Sequence, residues 1–307
     1  MCSLRQHIKY LLLSLPMLIS VSVLAQEDKL VRAQQLLRNK ETEAAIKAID
    51  SVIVHPQTRL DFISWTTRAY IYFDFYKRSG EKALLNSRLR DTIVSSLLAS
   101  NKLKPDSHYL VQNKNLLSNL SVNYFNLSKK LLEDSVNEQR SLIAYNRFKE
   151  LNRVVNPNVD LSSYDIAYNV ALGSIFSDRF IKDNSDIKSQ EIAKVALLKV
   201  LEVQPENPTA NINMGLMFYN HAVFLSKSLD YGADFSQIDI VQENMVKLAK
   251  QSEQFILKVY SNDNKNTKAI QALFYIYRML NEIPKSDDFK KKGELLGLKF
   301  SDQENEK

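Results

Sequence analysis

Prolines stand at nearly equal intervals along this chain, and their spacing constrains the fold more than any other feature. Pro56, Pro105, Pro157 and Pro205 are separated by 49, 52 and 48 residues, and each follows a stretch with helical hydrophobic periodicity. Proline lacks an amide hydrogen and disfavours helical geometry in the residue before it, so it commonly follows the end of a helix. The regular interval therefore predicts a helical repeating unit of about fifty residues.

The composition supports helices over strands. The 307 residues include only 6 Gly and 7 Pro, whereas β-sandwiches and barrels depend on frequent turns that are rich in these residues. Hydrophobic residues make up 45% and charged residues 25%, which is typical of a folded chain and not of a disordered one. We therefore predict an all-α fold.

A second pattern lies between the helix stops. It places a large residue first, a small residue four positions later and an aromatic residue three positions after that. Two of the small residues are Gly173 and Gly215, and glycine inside a helix costs about 1 kcal/mol relative to alanine. We predict that glycine is present despite this cost because two helices approach closely at these positions. The pattern occurs at Trp65–Ala69–Tyr72, Leu117–Ser121–Tyr124, Asn169–Gly173–Phe176 and Asn211–Gly215–Phe218.

These features together resemble the tetratricopeptide repeat (TPR) family. The likeness is strongest over 200–210, where one helix ends at a proline and the next begins at once. The resemblance implies a right-handed solenoid of about five to six antiparallel helix pairs in a single domain, 26–307. These units are longer than the roughly 34 residues of the family. We expect the surplus to lie in extended helices and in polar linkers at Ser128–Glu138, Ser177–Ser189 and Ser226–Gln237.

The first 25 residues have the features of a secretory signal peptide. Arg5 and Lys9 give a positive start, and the apolar stretch Tyr10–Leu24 is too short for a comfortable membrane span. Small residues then precede a predicted cleavage site before Gln26, which implies export to the periplasm or the cell exterior. An uncleaved N-terminal anchor is the alternative. No later apolar run is long enough to cross a membrane, so we predict no transmembrane segment after signal removal.

Cysteine content and net charge exclude several kinds of site and partner. The single cysteine, Cys2, lies in the predicted signal, so the mature chain has no disulfides, zinc–thiolate sites or cysteine nucleophiles. The formal charge is +6, and removing Arg5 and Lys9 leaves 39 basic against 35 acidic residues, or +4. A balance this mild predicts no nucleic-acid partner.

The residues that could carry catalysis or bind metal are scattered. His55, His108 and His221 lack metal-site spacing, and no catalytic motif surrounds them. We predict a partly buried, hydrogen-bonded structural role for His221. Asn262–Asn266 resembles a calcium loop only faintly, because it lacks the glycine and the terminal glutamate, and helix capping is the preferred interpretation. We therefore predict no catalytic residue, no cofactor and no metal.

The resemblance implies a non-catalytic scaffold or adaptor that binds a protein or peptide through the inner face of the solenoid, which the first helix of each pair lines. Asp74, Asn126, Asp178 and Asn220 occupy one position in successive units and form a predicted polar ladder edged by aromatics. A binding protein for a glycan or peptide fragment, and a helical enzyme of unrecognised class, are the alternatives. The predicted partner-binding residues are Tyr70, Phe73, Asp74, Phe125, Asn126, Asp178, Tyr219, Asn220 and Tyr277.

Overall fold

A computed structural model describes residues 28–56, 58–80, 87–135, 137–229, 232 and 234–300. Every regular element within these ranges is helical, which confirms the all-α prediction for them. The predicted signal segment 1–25 lies outside the described residues.

The described ranges contain twelve α-helices, which we number in chain order. Helix α1 covers residues 28–38, and a short 3₁₀ turn at Thr58–Leu60 follows α2. The other helices are α2 (Thr42–Ile53), α3 (Phe62–Arg78), α4 (Ser87–Lys102), α5 (Ser107–Ser135), α6 (Glu138–Val155), α7 (Ser162–Lys182), α8 (Ile187–Val203), α9 (Pro208–Lys227), α10 (Phe235–Asn262), α11 (Thr267–Met279) and α12 (Ile283–Leu295).

The helices belong to two compact units. The first comprises the described residues up to Leu131 together with Asn137–Val159. The second comprises Leu132–Val136 and the described residues from Asp160 onward. Helices α1 to α4 and α6 therefore lie in the first unit with most of α5, and α7 to α12 lie in the second.

The periodic prolines mark helix ends, as the sequence predicts. Four helices end two or three residues before Pro56, Pro105, Pro157 and Pro205. Two other prolines stand in the first turn of a helix, where the missing amide hydrogen has no intrahelical partner to lose: Pro208 begins α9, and Pro284 is the second residue of α12. The last residues of the four helices are Ile53 of α2, Lys102 of α4, Val155 of α6 and Val203 of α8.

The extra length of the repeats lies mainly in the helices. Helix α5 has 29 residues and α10 has 28. The linker predicted at Ser128–Glu138 is helical as far as Ser135, and α7 continues through the next predicted linker to Lys182. These segments contain neither glycine nor proline to stop a helix, so the helical ladder continues through them. The extended-helix prediction is confirmed, whereas the linkers are shorter than expected.

Polar side chains join the central helices of the first unit. Thr66 and Ser100 share a hydrogen bond of 2.8 Å, and Arg68 Nη1 donates to Ser96 Oγ over 2.8 Å. Since these bonds run in opposite order along α3 and α4, the two helices are antiparallel. Ala69, the predicted small residue of α3, is fully buried beside these bonds.

Glycines bring helices close together in the second unit. A methyl group added at Gly173 of α7 would meet the side chain of Leu197 of α8 at 2.5 Å. A methyl group at Gly215 of α9 would meet Ile256 of α10 at the same distance. Real Cβ atoms do not approach so closely, so any larger residue at either position would require the neighbouring side chain to move. The predicted close approach at both glycines is confirmed.

Candidate functional site

Three helices of the first unit line an open groove with a volume of about 350 Å³. Helices α1, α3 and α5 each contribute two or three side chains to it. Because α2 and α4 do not contribute, we call this feature the odd-helix groove. Its lining residues are Gln34, Leu37 and Arg38 from α1, Thr66, Thr67 and Tyr70 from α3, and Tyr109 and Gln112 from α5.

Contacts below and beside the groove hold its polar side chains in place. Gln34 Nε2 donates to Thr67 Oγ1 over 3.2 Å and so ties α1 to α3. The hydroxyl of Thr66 is buried and bonds to Ser100 behind the groove wall. The ring of Tyr109 packs edge-on against Phe62 at 5.5 Å. These restraints reduce the entropy that the side chains would lose on binding a ligand.

The lining of the groove is mostly uncharged. Arg38 is the only charged residue among the described residues that line it. Burial raises the pKa of Tyr70, so its phenol stays protonated and can both donate and accept a hydrogen bond. The hydroxyl and amide groups that line this groove can form hydrogen bonds with the uncharged polar backbone of a peptide. They are poorly suited to proton transfer.

The predicted residues of α3 differ in whether they line this groove. Tyr70 lines it. Phe73 is half-buried one turn further on, stacked against Tyr76 at 6.5 Å. Asp74 accepts a hydrogen bond of 2.8 Å from Thr42 of α2 and pairs with Arg78 at 2.8 Å. The carboxylate of Asp74 therefore links α3 to α2.

The predicted residues of α5 have different environments. Phe125 is half-buried and packs against Tyr145 and Phe148 of α6, with ring centroids 6.1 and 5.1 Å apart. Asn126 is exposed. Phe125 thus contributes to the packing of α5 on α6, and neither residue lines the odd-helix groove.

Three of the predicted residues in the second unit lie on α7 and α9. Asp178 is exposed. Tyr219 is half-buried, with its ring 6.5 Å from that of Tyr275. Asn220 donates from Nδ2 to the carbonyl of Leu216 in its own helix over 2.8 Å. Asp178 is the most accessible of the three.

The structure corrects the prediction at Tyr277. This residue of α11 is only 4% exposed, and its ring stacks on Phe289 of α12 at 5.6 Å. Its hydroxyl donates to Glu253 over 2.8 Å, and burial is the main reason that its pKa is strongly raised. Tyr277 is a core residue, because the apolar face of α11 is wider than the positions transferred from the family allow.

The groove residues on α1 and α5 were missed by sequence reasoning. Tyr109 and Gln112 lie in the first two turns of α5, which begins at Ser107. The family positions on this helix were counted from the Leu117–Tyr124 pattern and fall at Phe125 and Asn126, more than ten residues later. The early start of α5, directly after Pro105, is the signal that could have located these residues.

Two other sequence predictions concern single polar features, and both are confirmed. His221 is partly buried, its Nδ1 lies 3.1 Å from Gln190 Nε2, and its ring packs edge-on against Phe180 at 5.3 Å. Asn266 caps α11 by accepting from the amide of Ala269 over 3.1 Å. A structural histidine and a capping segment are therefore the correct interpretations.

Neither a metal-binding cluster nor a membrane-spanning helix occurs in the described ranges. Within them, no group of three or more His, Cys, Asp or Glu side chains is placed to hold a metal ion. None of the helices described is both long and apolar enough to cross a membrane.

Comparison with known proteins adds little. No family model matches the chain, and no curated protein matches it. Among solved structures, the chain is similar to the crystal structure of PilW, a widely conserved type IV pilus biogenesis factor. The match covers 89% of this chain and 99% of that one, with 12% identity and a TM-score of 0.37. A likeness at this level carries no argument about function.

Proposed function

We propose that the chain is a non-catalytic scaffold or adaptor that binds a protein or peptide through the odd-helix groove. Segment 1–25 directs its export, and the mature chain acts in the periplasm or outside the cell. In this proposal residues 26–307 form one TPR-like, right-handed solenoid of five to six antiparallel helix pairs. The inner face of that solenoid is formed by the first helix of each pair.

The helix pairing within the first unit supports this proposal. Helices α3 and α4 are antiparallel, and a buried small residue lies at their contact. The second unit repeats the feature with Gly173 and Gly215. Under this division α1, α3 and α5 are the first helices of three successive pairs.

The groove itself is the observation that carries the proposal. Three successive first helices line a single recess, and solenoid proteins use extended concave surfaces of this kind to bind partners. Its lining combines two tyrosines with threonine and glutamine side chains. Tyrosine provides a large contact area at low conformational-entropy cost, and hydroxyl and amide groups can pair with the backbone of an extended peptide.

Site-specific photo-crosslinking in cells tests this function. A photoreactive side chain at position 70 should capture a defined protein, whereas the same group at the exposed position 47 of α2 should not. With the captured protein purified, Tyr70→Ala should weaken binding at least fivefold, or about 1 kcal/mol, and Lys47→Ala should leave it unchanged.

Circular dichroism must show both variants folded before their affinities are compared. Capture from position 47 in place of 70, or unchanged affinity in a folded Tyr70→Ala variant, would overturn the groove as the binding surface.

The size of the groove also favours a second candidate, the capture of a small ligand such as a glycan or peptide fragment. A recess of about 350 Å³ falls at the lower end of the range for small-molecule sites, and Tyr70 and Tyr109 can provide aromatic surfaces for a sugar. Thermal stabilisation by a panel of glycans and peptide fragments, abolished in Tyr70→Ala, would favour this function over a protein partner.

A further inference from the structure

The segment that follows α12 turns back onto the last helix pair of the second unit. Gly297 has a left-handed backbone, with a φ of 82°. Its amide donates to the carbonyl of Glu294, and the amide of Leu298 donates to the carbonyl of Gly293, both over 2.9 Å. These two bonds form the Schellman arrangement, in which a left-handed glycine ends a helix and redirects the chain. We call the redirected residues, 298–300, the C-terminal strap.

The strap places two apolar side chains between α11 and α12. The ring of Phe300 lies 4.6 Å from that of Phe274, a fully buried residue of α11. On α12, a methyl group added at Gly293 would overlap the ring of Phe300 and lie 3.2 Å from Leu298 Cδ1. The missing side chain of Gly293 therefore provides the space that the Phe300 ring occupies. We call this cleft, formed by Phe274 and Gly293, the strap site.

The strap is held less firmly than the other elements that pack against a glycine in the second unit. At Gly173 and Gly215 the opposing side chain belongs to a helix, whereas at Gly293 it belongs to a segment without regular secondary structure. Among the described residues, the amide of Leu298 makes the only backbone–backbone hydrogen bond of the strap. The strap can therefore leave its site while α11 and α12 keep their own hydrogen bonds.

Two exposed leucines stand directly before the turn that releases the strap. Leu295 is 87% exposed and Leu296 is 41% exposed. Both precede Gly297, the residue whose backbone would have to rotate for the strap to point away from its own chain. Apolar surface in water favours association with other apolar surface. A second chain that crossed at this point would cover these leucines.

We propose that the strap of one chain docks in the strap site of a second copy, so that two chains exchange residues 298–300. Gly297 is the hinge. Each strap site then makes the contacts with Leu298 and Phe300 that it makes within a single chain, and the cover of Leu295 is gained. Exchange of an identical segment costs little, because the contacts that one chain loses are recovered in the other.

The occupant follows from what the site already holds. A second copy supplies a leucine and a phenylalanine two positions apart, the pattern that is seated between Phe274 and Gly293. The strap of the same chain competes with it, and a short tether gives an effective concentration of about 1 mM. The single chain therefore predominates in dilute solution, and the exchanged dimer forms as the protein concentration approaches that value.

Two complementary variants of the whole chain test the exchange. Gly293→Leu fills the site, and the three atoms nearest to its added carbon all belong to the strap. The strap is therefore released, while Ser286 Oγ still joins α12 to the carbonyl of Phe274 over 2.9 Å. Phe300→Ala leaves the site open. Mixed together, these variants should form a one-to-one dimer at least tenfold more tightly than either variant associates with itself, as measured by sedimentation equilibrium.

The matched control replaces the neighbouring residue of the strap. Lys299 is exposed, so Lys299→Ala keeps Phe300 in its own site and should associate with the Gly293→Leu chain at least tenfold more weakly than Phe300→Ala does. Circular dichroism must show all variants folded. Equal association of the two alanine variants, or none by either, would overturn the exchange. Binding of capped Gly-Leu-Lys-Phe to Phe300→Ala without a mixed dimer would also exclude a second copy as the occupant.

The parent chain gives an independent measurement that does not depend on a blocked site. Its average mass in sedimentation equilibrium should rise toward that of a dimer as the concentration approaches about 1 mM. Phe300→Ala should remove this rise, and Lys299→Ala should keep it. A parent chain that remained monomeric at that concentration, or a dimer that persisted in Phe300→Ala, would overturn the exchange.

Discussion

The helix contacts around α3 in the first unit and the contact of α9 with α10 in the second differ in chemistry, although the same spacing of large, small and aromatic residues runs through both units. In the first unit the helix contacts around α3 are rich in buried hydrogen bonds. In the second unit the contact of α9 with α10 is apolar and depends on glycine. The small residue sets how closely two helices approach, and its neighbours decide what the contact is made of.

The polar contact in the first unit is a connected network. Asn113 of α5 is fully buried and donates to Ser100 Oγ over 3.1 Å and to Asn101 Oδ1 over 2.9 Å. Thr66 bonds to Ser100 and reaches Asn113 Oδ1 at 3.4 Å. Three helices therefore share one set of hydrogen bonds, and its geometry restricts their register more than apolar packing does.

The contact in the second unit depends on shape. Gly215 lies against Ile256, and Phe218 stacks on Phe255 with ring centroids 5.9 Å apart. One buried hydrogen bond crosses the contact, from Ser252 Oγ to the carbonyl of Gly215 over 2.7 Å. Here the absence of a side chain on glycine determines the fit.

The largest expected effect comes from filling that glycine position. Gly215→Leu would force α9 away from α10, because even the first added carbon meets Ile256 at 2.5 Å. We expect the free energy of unfolding to fall by about 3 kcal/mol, near the upper end for overpacked cores. Urea denaturation measures the change. Gln271→Leu, at an exposed site of α11, is the control and should change stability by less than about 0.5 kcal/mol.

A smaller effect is expected from breaking the polar network. Asn113→Ala removes two donated hydrogen bonds and leaves buried Ser100 with fewer partners. The expected loss is about 2 kcal/mol, within the range for an unsatisfied buried polar group. Asn115→Ala, at an exposed site two residues further along α5, is the matched control. If the two variants unfolded at the same urea concentration, the network would not determine stability in this unit.

Much of the fold could be predicted because helix ends and close contacts have local signals. Proline marks the ends of four helices, and Gly173 and Gly215 mark close approach. Local pattern was less informative about burial. Trp65 occupies the large position of α3 but is only half-buried, with its indole donating to the carbonyl of Arg59 over 2.8 Å. Burial depends on what the neighbouring helices place opposite a residue, and spacing along one helix does not contain that information.

The odd-helix groove was harder to predict for the same reason. The odd-helix groove combines Gln34, Tyr70 and Gln112 from three helices, so its lining depends on the register between helices. Of the nine predicted partner-binding residues, Tyr70 alone lines this groove. The family positions were assigned for short units. A helix as long as α5 moves the accessible positions by several turns.

The smallest expected effect tests the one histidine of the second unit. His221 of α9 lies between Gln190 of α8 and the ring of Phe180 of α7. Burial disfavours the charged ring and lowers its pKa below the ordinary value near 6.5. The folded chain then binds fewer protons than the unfolded chain between the lowered pKa and 6.5. Stability should therefore decrease as pH falls through this interval, and His221→Gln should reduce that decrease.

Urea midpoints at pH 8 and pH 5.5 measure this effect, and NMR titration of the histidine rings gives the pKa directly. His108→Gln is the control, because that ring is exposed on α5 in the first unit, beside Gln112 at 2.8 Å. It should keep the pH dependence of the parent chain. If His221→Gln also kept it in full, the acid sensitivity would come from other groups. If the ring titrated above 6.5, an acidic neighbour would have to stabilise its charged form, and the second unit would be more polar around α9 than its other contacts indicate.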